Sequence, residues 1–167
     1  MTENRENLVK VVIIARDSWI PLVTVVNDPS INAELIPAFI SALHIFGKEN
    51  LGHIEEILVK GLDIDLYVVS KYNLIIIAMM SPKLKKLNIR GEAEEALDAF
   101  YSMFKEQIEC GKDCMDVFTS FENVLREQIK NYIYKVDSTE KGFFRRLMDM
   151  FKKKWYRYLF SKLNFYF

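Results

Sequence analysis

Two cysteines, two histidines and a few neighbouring carboxylates are the residues of this 167-residue chain that could support covalent or metal chemistry. Cys110 and Cys114 are four positions apart, a spacing that brings two thiols together on one face of a helix. A structural metal site needs more nitrogen or sulfur ligands than this pair supplies, and His44 and His53 lie far upstream. Free structural thiols therefore fit better than a metal site or a redox couple. The segment from Gly47 to Gly52 has the outline of a phosphate loop, but His53 and Ile54 stand where such a loop needs Lys and then Ser or Thr. It also follows a helical pattern rather than a strand. Glu55, Glu56, Asp63 and Asp65 alternate with apolar residues and read as acids on a solvated strand face, with a glycosidase-like carboxylate pair as the sharper alternative. No Ser-His-Asp arrangement has a supporting local motif. Neither a catalytic residue, a cofactor site nor a metal site emerges.

The chemistry that the sequence does offer is interfacial. Residues 141–167 carry eight basic side chains and one acidic one, a net +7; the other 140 residues carry 15 basic and 22 acidic, a net −7. On a helix at about 100° per residue, Phe144, Leu147, Met148, Phe151, Trp155, Tyr158 and Leu159 share one side. Arg145, Arg146, Lys152, Lys153 and Arg157 fall on the other with Asp149; Lys154 is at the boundary and Phe160 breaks the pattern. Rings at headgroup depth beneath a row of cations suit the surface of an anionic membrane, where each cation contributes about 1 kcal/mol. The bland alternatives are a helix docked on the acidic body or on a partner protein. Nucleic acid fits less well, because the acidic body would repel a phosphate backbone.

The elements that must carry this tail follow from periodicity. Val9–Arg16 and Trp19–Val26 read as strands joined at Asp17 and Ser18, with Pro21 marking the second as irregular or at a sheet edge. Asn32–Phe46 reads as a helix with Leu35, Ile36, Phe39, Ile40, Leu43 and Phe46 inward and Gly47 as its stop. Three strands follow in a meander, His53–Lys60, Ile64–Val69 and Asn73–Met80, and the uninterrupted run Leu74–Met80 should be internal. Glu92–Glu109 and Met115–Tyr134 read as helices, the first with Met103 inward and the second with Val124 inward. The expected fold is α+β: a five-stranded antiparallel sheet in the order ββαβββαα, helices packed on one face, plus the C-terminal basic amphipathic helix. The expected organisation is a body over 1–135, a linker over 136–142 and a tail over 143–167. No secretory leader and no apolar run of about 18 residues is visible, so the expected location is the cytosol, peripheral on a membrane.

This order resembles the longin domain and the related roadblock and profilin-like modules. The matching residues are the first strand ending at an Asp turn (Val11–Asp17), the helix Leu35-Ile36-Pro37-Ala38-Phe39-Ile40-Ser41-Ala42-Leu43, Gly52-His53-Ile54 at the start of the meander, and the Phe-rich last helix around Phe118 and Phe121. The resemblance covers roughly residues 7–135. It implies a non-enzymatic platform in membrane traffic and small-GTPase regulation, with a small GTPase as partner protein and pairing as a homo- or hetero-dimer. It carries over no functional residue. The competing readings are an enzyme of unrecognised chemistry and a profilin-like small-ligand sensor, each with its tail docked on the body.

The two faces of the tail should be separable by experiment. Replacing Phe151 and Trp155 with Ser should weaken vesicle binding at every salt concentration, since full burial of each ring is worth about 2 kcal/mol and interfacial burial less. Replacing Lys152, Lys153 and Lys154 with Gln should weaken binding mainly to anionic vesicles, and the wild type should release from them as salt rises. Liposome flotation reads both. If neither the full chain nor the tail peptide floats with anionic vesicles, the membrane reading is wrong.

Overall fold

The computed structural model describes residues 5–16, 18, 20–50, 55–110, 115–139 and 142. The chain divides into two compact units, Met1–Ile133 and Tyr134–Phe167. In the first, a 3-10 turn at Arg5–Leu8 leads into strand β1 (Val9–Arg16), followed by β2 (Pro21–Val26), helix α1 (Leu35–Asn50), and the strands β3 (Glu56–Lys60), β4 (Asp65–Lys71) and β5 (Leu74–Met80). Helices α2 (Ile89–Glu109), α3 (Met115–Phe118) and α4 (residues 121–139) complete the described order.

The five strands form one antiparallel sheet in the order β2-β1-β5-β4-β3. β5 is central, as its composition requires. Leu74, Ile75, Ile76 and Ile77 are all buried, and such a run can only sit where both faces are covered. Tyr72 and Asn73 both take φ of 57°, making the two-residue turn that lets Lys71 pair with Leu74.

Alternation assigns the layers. Val11, Ile13 and Ala15 of β1, Leu66 and Val68 of β4, and Ile75 and Ile77 of β5 point to one face, where Ile36 and Ile40 of α1 cover them. The opposite face belongs to α2. Arg16, of the other parity on β1, donates to the Ile108 carbonyl at 2.9 Å, and Lys71 of β4 pairs with Asp98. Helices thus cover both faces, where the sequence suggested one; β5 is apolar on both sides and leaves no face for water. Beyond α2, the rings of Phe100, Phe104, Phe118 and Phe121 form a cluster with centroids 5.0–6.2 Å apart.

Several boundaries moved for identifiable reasons. α1 runs through Gly47 to Asn50, because one glycine costs a helix only about 1 kcal/mol and does not end it. β2 begins at Pro21 rather than Trp19, and β3 at Glu56 rather than His53, which lies outside the described residues. α2 starts three residues early, at Ile89. The last helix is interrupted by a turn at Thr119 and Ser120, then continues to residue 139, four residues into the segment expected as a linker. Met103 and Val124, expected inward, are 54% and 39% exposed.

Phe100 is fully buried and touches the other three rings of the cluster. Phe100→Ala should destabilise the body by about 3–5 kcal/mol in urea denaturation. A loss below about 1 kcal/mol would mean that the aromatic cluster does not join α2 to the helices after it.

Candidate interaction surface

The residues with chemical potential are absorbed by structural ties. Glu56 accepts from the Tyr67 hydroxyl at 2.5 Å and pairs with Arg90 at 3.2 Å, while Arg90 also binds Glu55 at 3.3 Å and Glu94 at 2.8 Å. The two glutamates are therefore arms of one ion-pair network and not an acid and base across a cleft. Burial, reinforced by the Glu56 carboxylate, pushes the Tyr67 hydroxyl well above its ordinary pKa and keeps it a donor at neutral pH. Asp65 is buried, pairs with Lys86 at 2.5 Å and accepts from the Gly61 amide at 3.3 Å. Lys86 also donates to the Leu84 carbonyl at 3.1 Å, so this pair ties the Ser81–Asn88 strap to the β3–β4 hairpin.

Asp63 is exposed, and Cys110 is exposed just past α2. Cys114 and His53 lie outside the described residues, as does the side chain of His44 on α1. Among the described residues no group of three or more His, Cys, Asp or Glu is placed to hold a metal ion. The tail residues Phe144, Arg145, Arg146, Leu147, Met148, Phe151, Lys152, Lys153, Trp155, Arg157, Tyr158 and Leu159 also lie outside the described residues. No described helix is long and apolar enough to cross a membrane.

What the body presents instead is apolar surface. On α1, Ile36 and Ile40 are buried, but Leu35, Phe39, Ile45 and Phe46 are each more than half exposed. This corrects the inward assignment of Leu35, Phe39 and Phe46. The signal was in the sequence: the six residues assigned inward subtend an arc of about 140° at 100° per residue, wider than one packing contact covers. The sheet uses the Ile36–Ile40 side and leaves the Leu35–Phe39–Phe46 side to solvent.

β3 is the second exposed element. It ends the sheet, has β4 as its only strand partner among the described residues, and exposes Leu58 and Val59. An outermost strand of this kind is the usual template for strand addition. Neither feature was singled out from sequence, because five residues flanked by charge read the same at an edge as inside a sheet.

A two-strand hairpin crosses through α1 to a three-strand meander whose last strand inserts beside β1, giving β2-β1-β5-β4-β3. No family model and no curated protein matches the sequence. Among solved structures, Myxococcus xanthus MglB is similar at 15% identity over 61% of this chain and 88% of its own, with a TM-score of 0.49. A Roadblock/LC7 domain from Streptomyces avermitilis is similar at 12% identity over 45% and 68%, with a TM-score of 0.38. The gliding protein MglB from Thermus thermophilus is similar at 8% identity over 44% and 61%, with a TM-score of 0.40.

The Asp65–Lys86 tether has a testable sign. Lys86 holds the Asp65 carboxyl below its ordinary value of 3.8. The pair therefore stabilises the fold above that unfolded-state value, and its contribution is lost as pH falls through the lower folded value. Asp65→Asn strands a mostly buried ammonium and should cost on the order of 2–3 kcal/mol at neutral pH, with a smaller penalty near pH 3. Equal penalties at both pH values in urea titrations would show that the ion pair is not the tether.

Proposed function

We propose that this chain is a non-enzymatic longin-like interaction module that acts at a membrane surface, as an adaptor or regulator in small-GTPase or trafficking-type complexes. The body binds proteins and the tail binds anionic lipid on the cytosolic face.

The edge of β3 carries this reading. The Ser70 amide donates to the Glu55 carbonyl at 2.9 Å, so Glu55 directs its backbone groups toward β4. By alternation Ile57 and Val59 do the same, and the N–H and C=O groups of Glu56, Leu58 and Lys60 point outward. Two copies of β3 laid antiparallel about Leu58 would use all three outward residues. Leu58 would face its own copy, and Glu56 would face Lys60 of the second copy at both ends. Registers shifted by two residues pair Leu58 with Glu56 or with Lys60 instead and lose the charge match. A strand that complements itself in one register suits a symmetric homodimer.

The outer strip of α1 is the complementary feature. Burying Leu35, Phe39 and Phe46 against a partner would contribute about 1.5–3 kcal/mol each at full burial. The resemblance to longin domains suggests a small GTPase for that role. The tail sequence, which on a helix would put cations and rings on opposite sides, supports attachment to an anionic membrane.

Lys60→Glu places like charges opposite each other twice per dimer and should raise the dimer dissociation constant at least tenfold, from about 0.7 kcal/mol or more per pair. Lys60→Gln should have a smaller effect. Sedimentation equilibrium distinguishes them. A wild type that stays monomeric at all concentrations, or a Lys60→Glu variant that associates as tightly as the wild type, would reject the β3 interface.

A further inference from the structure

Arg90 stands in the first turn of α2 and reaches β3 and its own helix with all three guanidinium nitrogens, each on a different carboxylate. Nε donates to Glu94 at 2.8 Å, Nη1 to Glu56 at 3.2 Å and Nη2 to Glu55 at 3.3 Å. The other Glu56 oxygen accepts from the Tyr67 hydroxyl. Glu56 is thus held from two elements, α2 and β4, although it is exposed and lies on an edge strand. At the far end of β3, Lys60 stands opposite Asp65, whose carboxylate is already taken by Lys86 and the Gly61 amide.

Glu56, Leu58 and Lys60 share the sheet face that carries Tyr67 and α2, because Ile57, of the other parity, packs into the core beneath α1. A guanidinium bound to Glu56 alone would cancel its pull on a lysine. Here three carboxylates surround one guanidinium, 1 − 3 = −2. Glu55 and Glu94 take up the charge of Arg90, so Glu56 is fixed in place and still attracts a cation. When two copies of β3 pair about Leu58, that cation is Lys60 of the second copy. The two clusters of such a dimer lie four residues apart along the ladder, about 13 Å. That exceeds the Debye length of about 10 Å at 0.1 M salt, so their mutual repulsion is screened more than the close Glu56–Lys60 contact.

We infer that Arg90 is the positioning residue for β3 pairing, fixing the Glu56 carboxylate that Lys60 of a second copy meets. The inference rests on the pairing of β3 with its own copy and adds the residue that strengthens its register. A glutamate loses rotamer freedom when a partner immobilises it. Glu56 loses that freedom on folding, so association gains the ion pair without ordering the side chain again. Arginine suits the role because its planar fork serves three acceptors at fixed angles, which an ammonium on a flexible stem does not.

The test is a double-mutant cycle on the full chain, read by sedimentation equilibrium. In the wild-type background, Glu56→Gln and Lys60→Gln should be non-additive in the dimer dissociation constant by about fivefold, from two ion pairs per dimer. In an Arg90→Gln background the same cycle should show non-additivity below about twofold. Arg90→Lys keeps the charge without the fork and should also lose the coupling. The Arg90 side chain is 49% exposed, so neither substitution opens the core. Coupling undiminished by Arg90→Gln, or restored in full by Arg90→Lys, overturns the positioning role while leaving β3 pairing intact. A dimer in which Glu56 and Lys60 show no coupling in any background overturns the register and the inference with it. A chain that stays monomeric at all concentrations removes both.

Discussion

The rest of the structure is organised around a strand that cannot touch water on either side. Leu74–Met80 offers no polar residue to either face, so it occupies the centre of the sheet with β1 and β4 as neighbours. That placement requires a covering layer on each face. α1 supplies one through Ile36 and Ile40, and α2 with the aromatic cluster supplies the other. β2 and β3 take the two edges.

The two edges are not alike. β2 starts with a proline, which cannot donate to a neighbouring strand, and α3 packs beside it. β3 has charged residues at both ends, Glu56 and Lys60, which discourage indiscriminate pairing yet match each other when the strand meets its own copy. In the proposed dimer the same residues would act against aggregation and for one register. Glu56 is further held by Tyr67 and Arg90, which fix the position of its carboxylate.

Much of this architecture was legible in the sequence. β1, the internal β5 and the element order followed from β-branched runs and turn residues, and Pro21 marked its strand as irregular or at an edge, of which the edge is what the sheet shows. The assignment of helix faces was less legible. The six apolar residues of α1 formed one stripe on paper, and only the sheet decided that Ile36 and Ile40 were its core and Phe39 and Phe46 its surface. Gly47 looked like a stop because glycine often is one, but the cost of an interior glycine is small beside the packing of the turns around it. The two glutamates beside β3 could be read either as solvated acids or as a catalytic pair until Arg90, 34 residues downstream of Glu56, was seen to bind both. Long-range ion pairs of this kind leave no local pattern.

Amide hydrogen exchange along β3 as a function of protein concentration tests the proposed β3 pairing. Ile57 and Val59 direct their amides to β4 and should be protected at every concentration. Leu58 and Lys60 direct theirs outward, and should exchange freely when dilute and become protected as the protein self-associates. Rapid exchange of Leu58 and Lys60 at concentrations where the protein is demonstrably dimeric would contradict the account, because the interface would then lie elsewhere.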